Sequence, residues 1–147
     1  MPVDLKFKVV FGTKDGKSVQ VELSGDAAEN MMRKRIGESI SGDLIGYPGY
    51  EFLITGGSDK AGFPMRKGIQ EQRKRVLVSG GVGFSGMKRT IGKKKTRRKQ
   101  KGLLKRVTVC GEKIDTKTVQ VNLKVTKAGS SPLGLVPVAE TSTEAKE

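Results

Sequence analysis

The sequence predicts a mainly β chain: a small antiparallel β-barrel with one short helix, a long basic loop and a disordered C-terminal tail. Three observations support this class. Apolar residues alternate with polar residues in several short segments, and Gly-rich turns separate these segments in a chain with 20 glycines. A single segment has helical spacing. Short strands at such intervals are typical of a small barrel, which also removes exposed sheet edges.

The first two strands form the clearest predicted hairpin. Apolar side chains alternate from Leu5 to Phe11 and again from Val19 to Leu23. Between them lies Asp15-Gly16, a pair that favours a tight hairpin turn because both residues tolerate positive φ. We therefore expect the two strands to pair with each other.

One helix is predicted over residues 26–35. Asp26 with Glu29 three residues later resembles a capping box, and Gly37 is a plausible stop. The apolar residues at one-face spacing are Ala28, Met31, Met32 and Ile36.

Further strands are predicted over 40–45, 50–54, 75–79, 105–110 and 119–125, the last with the most regular alternation. The second strand of this series, 50–54, is expected to end at Gly56-Gly57, and Asp115–Lys117 is expected to form a turn. We predict one barrel-like domain over 1–128, with the basic loop at 86–106, and a flexible tail over 129–147.

Positive charge is concentrated in the second half of the chain. Residues 66–127 contain 20 Lys and Arg against 3 Asp and Glu, whereas residues 1–65 contain 8 against 9. Between Lys88 and Arg106, 11 of 19 residues are basic and none is acidic. Such a density of one sign indicates a polyanionic partner, and nucleic acid is the principal candidate.

Composition argues against an enzyme and against a metal or cofactor. The chain has no His, the lone Cys110 cannot form an internal disulfide or a Cys-cluster zinc site, and no carboxylate pair suggests catalysis. We predict that Cys110 is a small apolar strand residue and that Asp59 serves a turn. No apolar run has the length of a membrane span, and the N-terminus does not resemble a signal peptide, so a cytoplasmic protein without membrane or small-molecule partners is expected.

Two Gly-rich motifs resemble nucleotide-binding sites. Gly81–Gly86 reads G-x-G-x-x-G, but the dinucleotide motif requires an amphipathic helix next, and a basic run follows instead. Gly12–Ser18 resembles a P-loop with one residue too few between its glycines, and it leads into a strand. A close-approach loop and a hairpin turn are the favoured interpretations.

The basic run is internal and is followed by a strand, which argues against a free tail or a targeting signal. Few aromatic residues accompany it, so stacking on single-stranded bases is a poor fit, and no helix-turn-helix or zinc finger is visible. Contacts to the phosphates of folded RNA fit better. The candidate RNA-binding residues are Arg66, Lys67, Lys88, Arg89, Lys93, Lys94, Lys95, Arg97, Arg98, Lys99 and Lys101, with Arg73, Lys74 and Arg75 as an extension.

The segment from Leu53 to Met65 closely resembles the signature of the archaeal and eukaryotic small-subunit ribosomal protein S6e family. The matching residues are Gly56, Gly57, Asp59, Gly62, Phe63, Pro64 and Met65. A tight turn explains these residues as well as an RNA contact does. The resemblance covers roughly residues 3–128, and the short chain is similar to the archaeal form, since it lacks the long basic C-terminal helix with phosphorylatable serines.

The resemblance implies a small barrel-like domain that binds small-subunit ribosomal RNA beside neighbouring ribosomal proteins, without catalysis or a cofactor. The expected function is that of a structural constituent of the cytoplasmic small subunit. A non-ribosomal RNA-binding barrel, such as a translation-factor-like module or an RNA chaperone, is the alternative. An RNA-modifying or nucleotide-dependent enzyme is the third hypothesis.

Overall fold

The structure, a computed structural model, describes residues 5–88, 98–99, 101–129 and 133. Its elements are β1 (Lys6–Gly12), β2 (Ser18–Ser24), α1 (Asp26–Met31), β3 (Ser39–Ser41), a 3-10 turn (Gly42–Ile45), β4 (Glu51–Asp59), β5 (Arg73–Val78), β6 (Met87–Lys88), β7 (Arg98–Lys99), β8 (Lys105–Cys110) and β9 (Thr118–Lys127). The prediction of a mainly β chain with one short α-helix is confirmed for these residues.

The main sheet has five strands in the order β2-β1-β9-β4-β3. β9, from the other end of the domain, lies between β1 and β4, and it runs parallel to β1 with Val9 opposite Val121. The prediction of an all-antiparallel arrangement is therefore wrong at this pair. Within the described residues β2 and β3 are the two edges of an open sheet, so closure into a barrel is not confirmed.

The core lies on one face of this sheet. β1 buries Phe7, Val9 and Phe11 at alternate positions, as its period-two pattern predicts. Phe11 packs against Phe52 of β4 with ring centroids 4.8 Å apart, and Tyr50 stacks on Phe52 at 5.6 Å. Aromatic pairs at these separations stabilise a core beyond the area that they bury.

The helix is shorter than its spacing predicts, because it ends at Met31 and not at residue 35. Arg33 adopts φ 66°, and its backbone N–H donates to the carbonyl of Ile114. The capping-box interpretation is also wrong, since Gly25 is the N-cap and no side chain caps the helix. In place of the last predicted turn of the helix, the backbone N–H groups of Arg33 and Ile36 donate to the carbonyls of Ile114 and Glu112, which precede β9.

Two strand predictions need correction in the middle of the chain. The segment predicted as a strand over 40–45 is a strand only over Ser39–Ser41 and then becomes the 3-10 turn. β4 continues through Gly56 and Gly57 to Asp59, with its register against β9 shifted between Ile54 and Gly56. A bulge lets the strand continue through glycines that by themselves suggest a break.

β5 and β8 form a separate two-stranded antiparallel ladder, the β5–β8 hairpin, in which Val76 is opposite Val107. Beyond it the short strands β6 and β7 pair, with Met87 opposite Lys99 and Lys88 opposite Arg98. Residues 87–88 and 98–99, which lie within the predicted basic loop 86–106, are therefore side by side. Sequence patterning misses β6 and β7, which have two residues each.

Two residues of the predicted tail, Gly129 and Leu133, lie against the core. Gly129 approaches the Tyr50 ring so closely that a Cβ at this position would collide with it, and Leu133 packs against the core cluster. The rest of the predicted tail lies outside the described residues. No described helix is long and apolar enough to cross a bilayer.

Candidate nucleic-acid interface

The signature segment 56–65 turns back on itself at the end of β4. The backbone N–H of Met65 donates to the carbonyl of Gly57 at 2.9 Å, and that of Asp59 donates to Phe63 at 3.1 Å. Gly57 lies against Gln120 of β9, where any Cβ would collide with the Gln120 carbonyl oxygen. Close approach of two backbones therefore requires glycine at this position.

Asp59 holds this turn from the inside, as the interpretation of Asp59 as a turn residue predicts. Its Oδ1 accepts the backbone N–H groups of Ala61 at 2.8 Å and Phe63 at 3.1 Å, and its Oδ2 accepts Nε of Arg73 at 2.5 Å. Burial raises the pKa of the Asp59 carboxyl, but the hydrogen bonds from Arg73, Phe63 and Ala61 and the Arg73 charge lower it further than burial raises it. The net pKa is below the ordinary value.

The signature also joins the main sheet to the β5–β8 hairpin. Met65 forms a parallel bridge with Cys110, whose N–H donates to the Pro64 carbonyl at 2.9 Å. The Arg73 guanidinium lies 5.3 Å from the centroid of the Phe63 ring. The signature residues thus have partners within the chain, and their geometry is that of a structural junction.

Cys110 is buried at this junction, in keeping with the prediction of a small apolar strand residue. Burial raises the pKa of its thiol, and the nearby Asp59 carboxylate acts in the same direction. A thiol in this environment is protonated at neutral pH and has a packing role.

The two basic residues that follow the signature differ in exposure. Lys67 is exposed, whereas Arg66 is half-buried and donates its backbone N–H to the Cys110 carbonyl at 3.1 Å. The Nη1 atom of Arg66 is buried and has no hydrogen-bond partner among the described residues. A buried guanidinium nitrogen without an acceptor is costly, and in this respect Arg66 differs from the exposed Lys67.

The structure distinguishes three consecutive basic residues that the sequence cannot tell apart. Arg73 is paired with Asp59, and Nζ of Lys74 lies 2.6 Å from Oε1 of Glu71. No hydrogen bond or ion pair within the described part of the chain involves the Arg75 side chain. Arg106 of β8, which is not among the predicted contact residues, is likewise exposed and without such a partner. Alternation in β5 and β8 could have found both, because it separates inward from outward positions.

The remaining predicted contact residues lie in or near the basic segment. Lys101 is exposed, and Lys88, Arg98 and Lys99 belong to the β6–β7 ladder. Arg89, Lys93, Lys94, Lys95 and Arg97 lie outside the described residues.

Comparison with known proteins agrees with the signature. Residues 7–136 match the family described as Ribosomal protein S6e. The chain belongs to this family.

Several archaeal relatives, each named small ribosomal subunit protein eS6, are similar over most of their length. The protein of Methanocella arvoryzae is 40% identical over 126 residues, which is 85% of this chain and 80% of the relative. That of Archaeoglobus fulgidus is 40% identical over 132 residues, covering 88% and 93%. That of Methanothermobacter thermautotrophicus is 41% identical over 130 residues, also covering 88% and 93%.

S6e proteins are structural ribosomal proteins, so the expectation that the chain is not an enzyme is confirmed. The predicted location, the small ribosomal subunit in the cytoplasm, is confirmed on the same grounds.

The two nucleotide-like motifs have structural roles in this S6e chain. Gly81 bridges Phe84, and the strand β6 follows the loop where a dinucleotide site needs a helix. Gly83, at φ 89°, lies against Val107 and Val109 of β8. The segment 12–18 closes the β1–β2 hairpin with Gly12 opposite Ser18.

A cavity of about 280 Å³ lies between the end of α1 and the loops before β5 and β9. Its lining includes Gln72, which accepts from Nζ of Lys117 at 2.7 Å and donates to Asp115. These polar groups satisfy one another. No cluster of potential metal ligands occurs among the residues that the structure describes.

Proposed function

We propose that the chain is a structural constituent of the small ribosomal subunit that binds ribosomal RNA, with the basic segment 86–106 neutralising RNA phosphates. Membership of the S6e family is the observation that carries this proposal. The relatives' names place them in the small subunit, and the extension to this chain rests on similarity over most of both lengths. Neighbouring ribosomal proteins are the other expected partners.

The distribution of charge supports RNA as the direct partner. Residues 66–127 contain 17 more basic than acidic residues. Few of these basic side chains form an ion pair within the described part of the protein. Arg73 and Lys74 do, whereas Arg66, Arg75 and Arg106 have no carboxylate within ion-pair distance there. Uncompensated cations repel one another, and RNA phosphates would remove that repulsion while releasing counterions. The predicted contact residues Lys93, Lys94 and Lys95 are the most concentrated part of this charge.

The backbone supports a projecting basic segment. The β5–β8 hairpin leaves the core at Cys110, and β6 and β7 continue the pairing farther along. Strand pairing at 87–88 with 98–99, and at 105–106 with β5, limits the conformational entropy that RNA binding must remove. We propose residues 1–128, together with Gly129 and Leu133, as the folded unit that presents it.

The proposal is tested by measuring affinity for small-subunit ribosomal RNA of Archaeoglobus fulgidus, transcribed in vitro, as a function of salt. If six to ten phosphates are neutralised, affinity falls about 10³–10⁵-fold between 50 and 200 mM salt, a range measured on duplex DNA. The triple variant K93Q/K94Q/K95Q is expected to bind more weakly and with a shallower salt dependence. The matched control K6Q/K14Q/K17Q removes the same charge from the distant β1–β2 hairpin and should bind nearly as the wild type does.

A salt-independent affinity, or equal effects of the two triple variants, would contradict binding by the basic segment. Sedimentation separates the proposal from the non-ribosomal alternative. A structural constituent remains on purified small subunits through a moderate salt wash, whereas a transient translation-factor-like protein or RNA chaperone is released.

A further inference from the structure

The β5–β8 hairpin has two faces of different character. Pairing places Val76 opposite Val107 on one face, and Val78 and Val109, both buried, share that face. The Gly80–Gly86 loop covers it, because Gly83 lies within van der Waals range of Val107, Val109 and Pro64. This inner face is therefore occupied by the chain itself.

The outer face is open. Arg75 is opposite Thr108 and Leu77 is opposite Arg106, so these residues share it, and Leu104 precedes Arg106 by two positions. Leu77 is 58% exposed and Leu104 is 55% exposed, the two highest values among the large apolar residues of the described chain. We define Arg75, Leu77, Leu104 and Arg106 as the outer patch.

We propose that the outer patch is a second RNA-binding surface, which lies in the shallow minor groove of a ribosomal RNA helix. This inference rests on the proposed function and deepens it, because it assigns RNA contact to the outer face of the β5–β8 hairpin, which joins Arg75 and Leu77 of β5 to the C-terminal end of the basic segment. The two arginines would contact backbone phosphates or 2′-hydroxyls, and the two leucines would pack on the sugars between them.

Charge favours RNA over a protein as the occupant. Arg75 and Arg106 have no hydrogen bond or ion pair within the described residues, whereas Arg73 at the buried end of the same face is already paired with Asp59. No carboxylate lies opposite Arg75 or Arg106 in the ladder. Burying both guanidinium groups against an apolar protein surface would be costly, but a row of phosphates satisfies them.

Shape and position favour the minor groove of an RNA helix. A-form RNA has a deep, narrow major groove, but its minor groove is wide and shallow and displays 2′-hydroxyls. On the outer patch the arginines have only Thr108 and leucine side chains beside them, so no bulkier side chain stands between the arginines and a shallow groove. In sequence, residues 79–86 and 100–104 separate this ladder from β6 and β7, and Leu104 and Arg106 of the outer patch belong to the proposed RNA-binding segment itself.

The proposal predicts different effects of arginine and leucine substitutions in the outer patch on binding to the same in vitro transcribed RNA. R75Q/R106Q is expected to weaken binding and to reduce the slope of log affinity against log salt by about one per arginine. L77S/L104S is expected to weaken binding roughly tenfold with the slope unchanged, since leucine contacts release no counterions.

Matched controls use residues far from the patch. K6Q/K14Q repeats the charge change on the β1–β2 hairpin, and L44S repeats the apolar-to-polar change at a leucine that is 47% exposed. Both controls are expected to bind as the wild type does. Because all substituted side chains are exposed, the thermal unfolding midpoint of each variant should remain near that of the wild type.

The outcomes distinguish failure of this inference from failure of the proposed function. If K93Q/K94Q/K95Q weakens binding while both outer-patch variants bind normally, RNA does not contact the patch and the inference is overturned alone. If L77S/L104S binds free RNA normally but is incorporated poorly into subunits with the other ribosomal proteins present, the occupant is a protein, and the inference is again overturned. If the wild type does not bind the RNA, both proposals fail.

Discussion

The five-stranded sheet and the β5–β8 hairpin have comparable backbone pairing but opposite surroundings. The sheet buries Phe7, Phe11 and Phe52 almost completely, and two of its exposed cations, Lys8 and Lys127, lie near the carboxylates of Glu22 and Glu51. The outer face of the hairpin instead exposes leucines, and its Arg75 and Arg106 have no ion pair or hydrogen bond among the residues that the structure describes. The sheet is stabilised mainly by contacts within the chain, whereas the outer face of the hairpin is the surface for which we propose a partner.

The difference is sharpest within β5. Arg73, at the start of the strand, is fixed by Asp59 and lies over Phe63, whereas Arg75, two residues later and on the same face, has no such partner among the described residues. The face is covered at its Cys110 end and open at its Arg106 end. Neighbouring residues of one type thus have a structural and a proposed binding role.

The largest expected difference in the free energy of unfolding is between alanine substitutions of two apolar residues, Phe52 in the sheet and Leu77 in the hairpin. Phe52→Ala is expected to lower the free energy of unfolding by about 3–5 kcal/mol, because it leaves a cavity in the aromatic core. Leu77→Ala is expected to change it by no more than about 0.5 kcal/mol, since the side chain is largely in water. Urea denaturation measures both. Equal losses would show that the outer face is part of the folding core and would remove the distinction between the two regions.

Asp59→Ala is expected to lower the free energy of unfolding by about 2–3 kcal/mol, somewhat less than Phe52→Ala. The substitution leaves the N–H groups of Ala61 and Phe63 without their acceptor and Arg73 without its partner. Thermal unfolding with known enthalpy measures the loss. Asp59→Asn retains an acceptor oxygen but not the charge, and an intermediate loss is expected. Wild-type stability of the alanine variant would show that the junction does not depend on this carboxylate.

Gly57→Ala tests the close approach of the signature to β9. The new methyl group would collide with the Gln120 carbonyl, and forced backbone movement is expected to cost about 1–3 kcal/mol. Gly12→Ala is the matched control, because the nearest atom to its Cβ would be the Leu123 carbonyl oxygen at 3.6 Å, an ordinary contact. Chemical denaturation of the two variants should therefore differ, and equal stabilities would argue against a steric role for Gly57.

The smallest expected effect is a pH dependence from Asp59. Its pKa in the folded chain is below the ordinary unfolded value of about 3.9, so the ionised group stabilises the fold fully above that pH. This contribution should be lost as the pH falls below about 4 toward the folded pKa. Unfolding free energies measured at several acidic pH values should decrease less steeply for Asp59→Asn than for the wild type.

Asp26→Asn, at the exposed start of α1, is the control for this pH dependence and should retain the steep decrease. A wild-type slope in Asp59→Asn would show that other groups govern the acid sensitivity.

Local patterns predict a large part of this protein. Period-two alternation predicts β1, β2, β5, β8 and β9 to within a few residues. Successive side chains of a strand point to opposite faces, so a strand with one buried face has apolar residues at alternate positions. The family signature identifies the turn at Asp59 and, through it, the family. The concentration of charge in 66–127 indicates the class of partner.

Other features depend on contacts between distant segments. The helix ends early because Arg33 bonds to Ile114, and β4 continues past Gly57 because β9 lies beside it. Neither partner is close in sequence, so no local window contains the reason. The same holds for the parallel pairing of β1 with β9, which depends on where the last strand enters the sheet.

The sequence by itself determined that the chain is mainly β, that its charge is concentrated in one internal segment, and that it resembles the S6e family, because alternation, composition and the signature are local properties. Only the tertiary structure decided which cations are already neutralised. Arg73, Lys74 and Arg75 are adjacent and chemically alike, but only the fold brings Asp59 to Arg73 and leaves Arg75 facing outward beside Arg106. Electrostatic pairing depends on distance in space, and that distance is set by the packing of segments far apart in the chain.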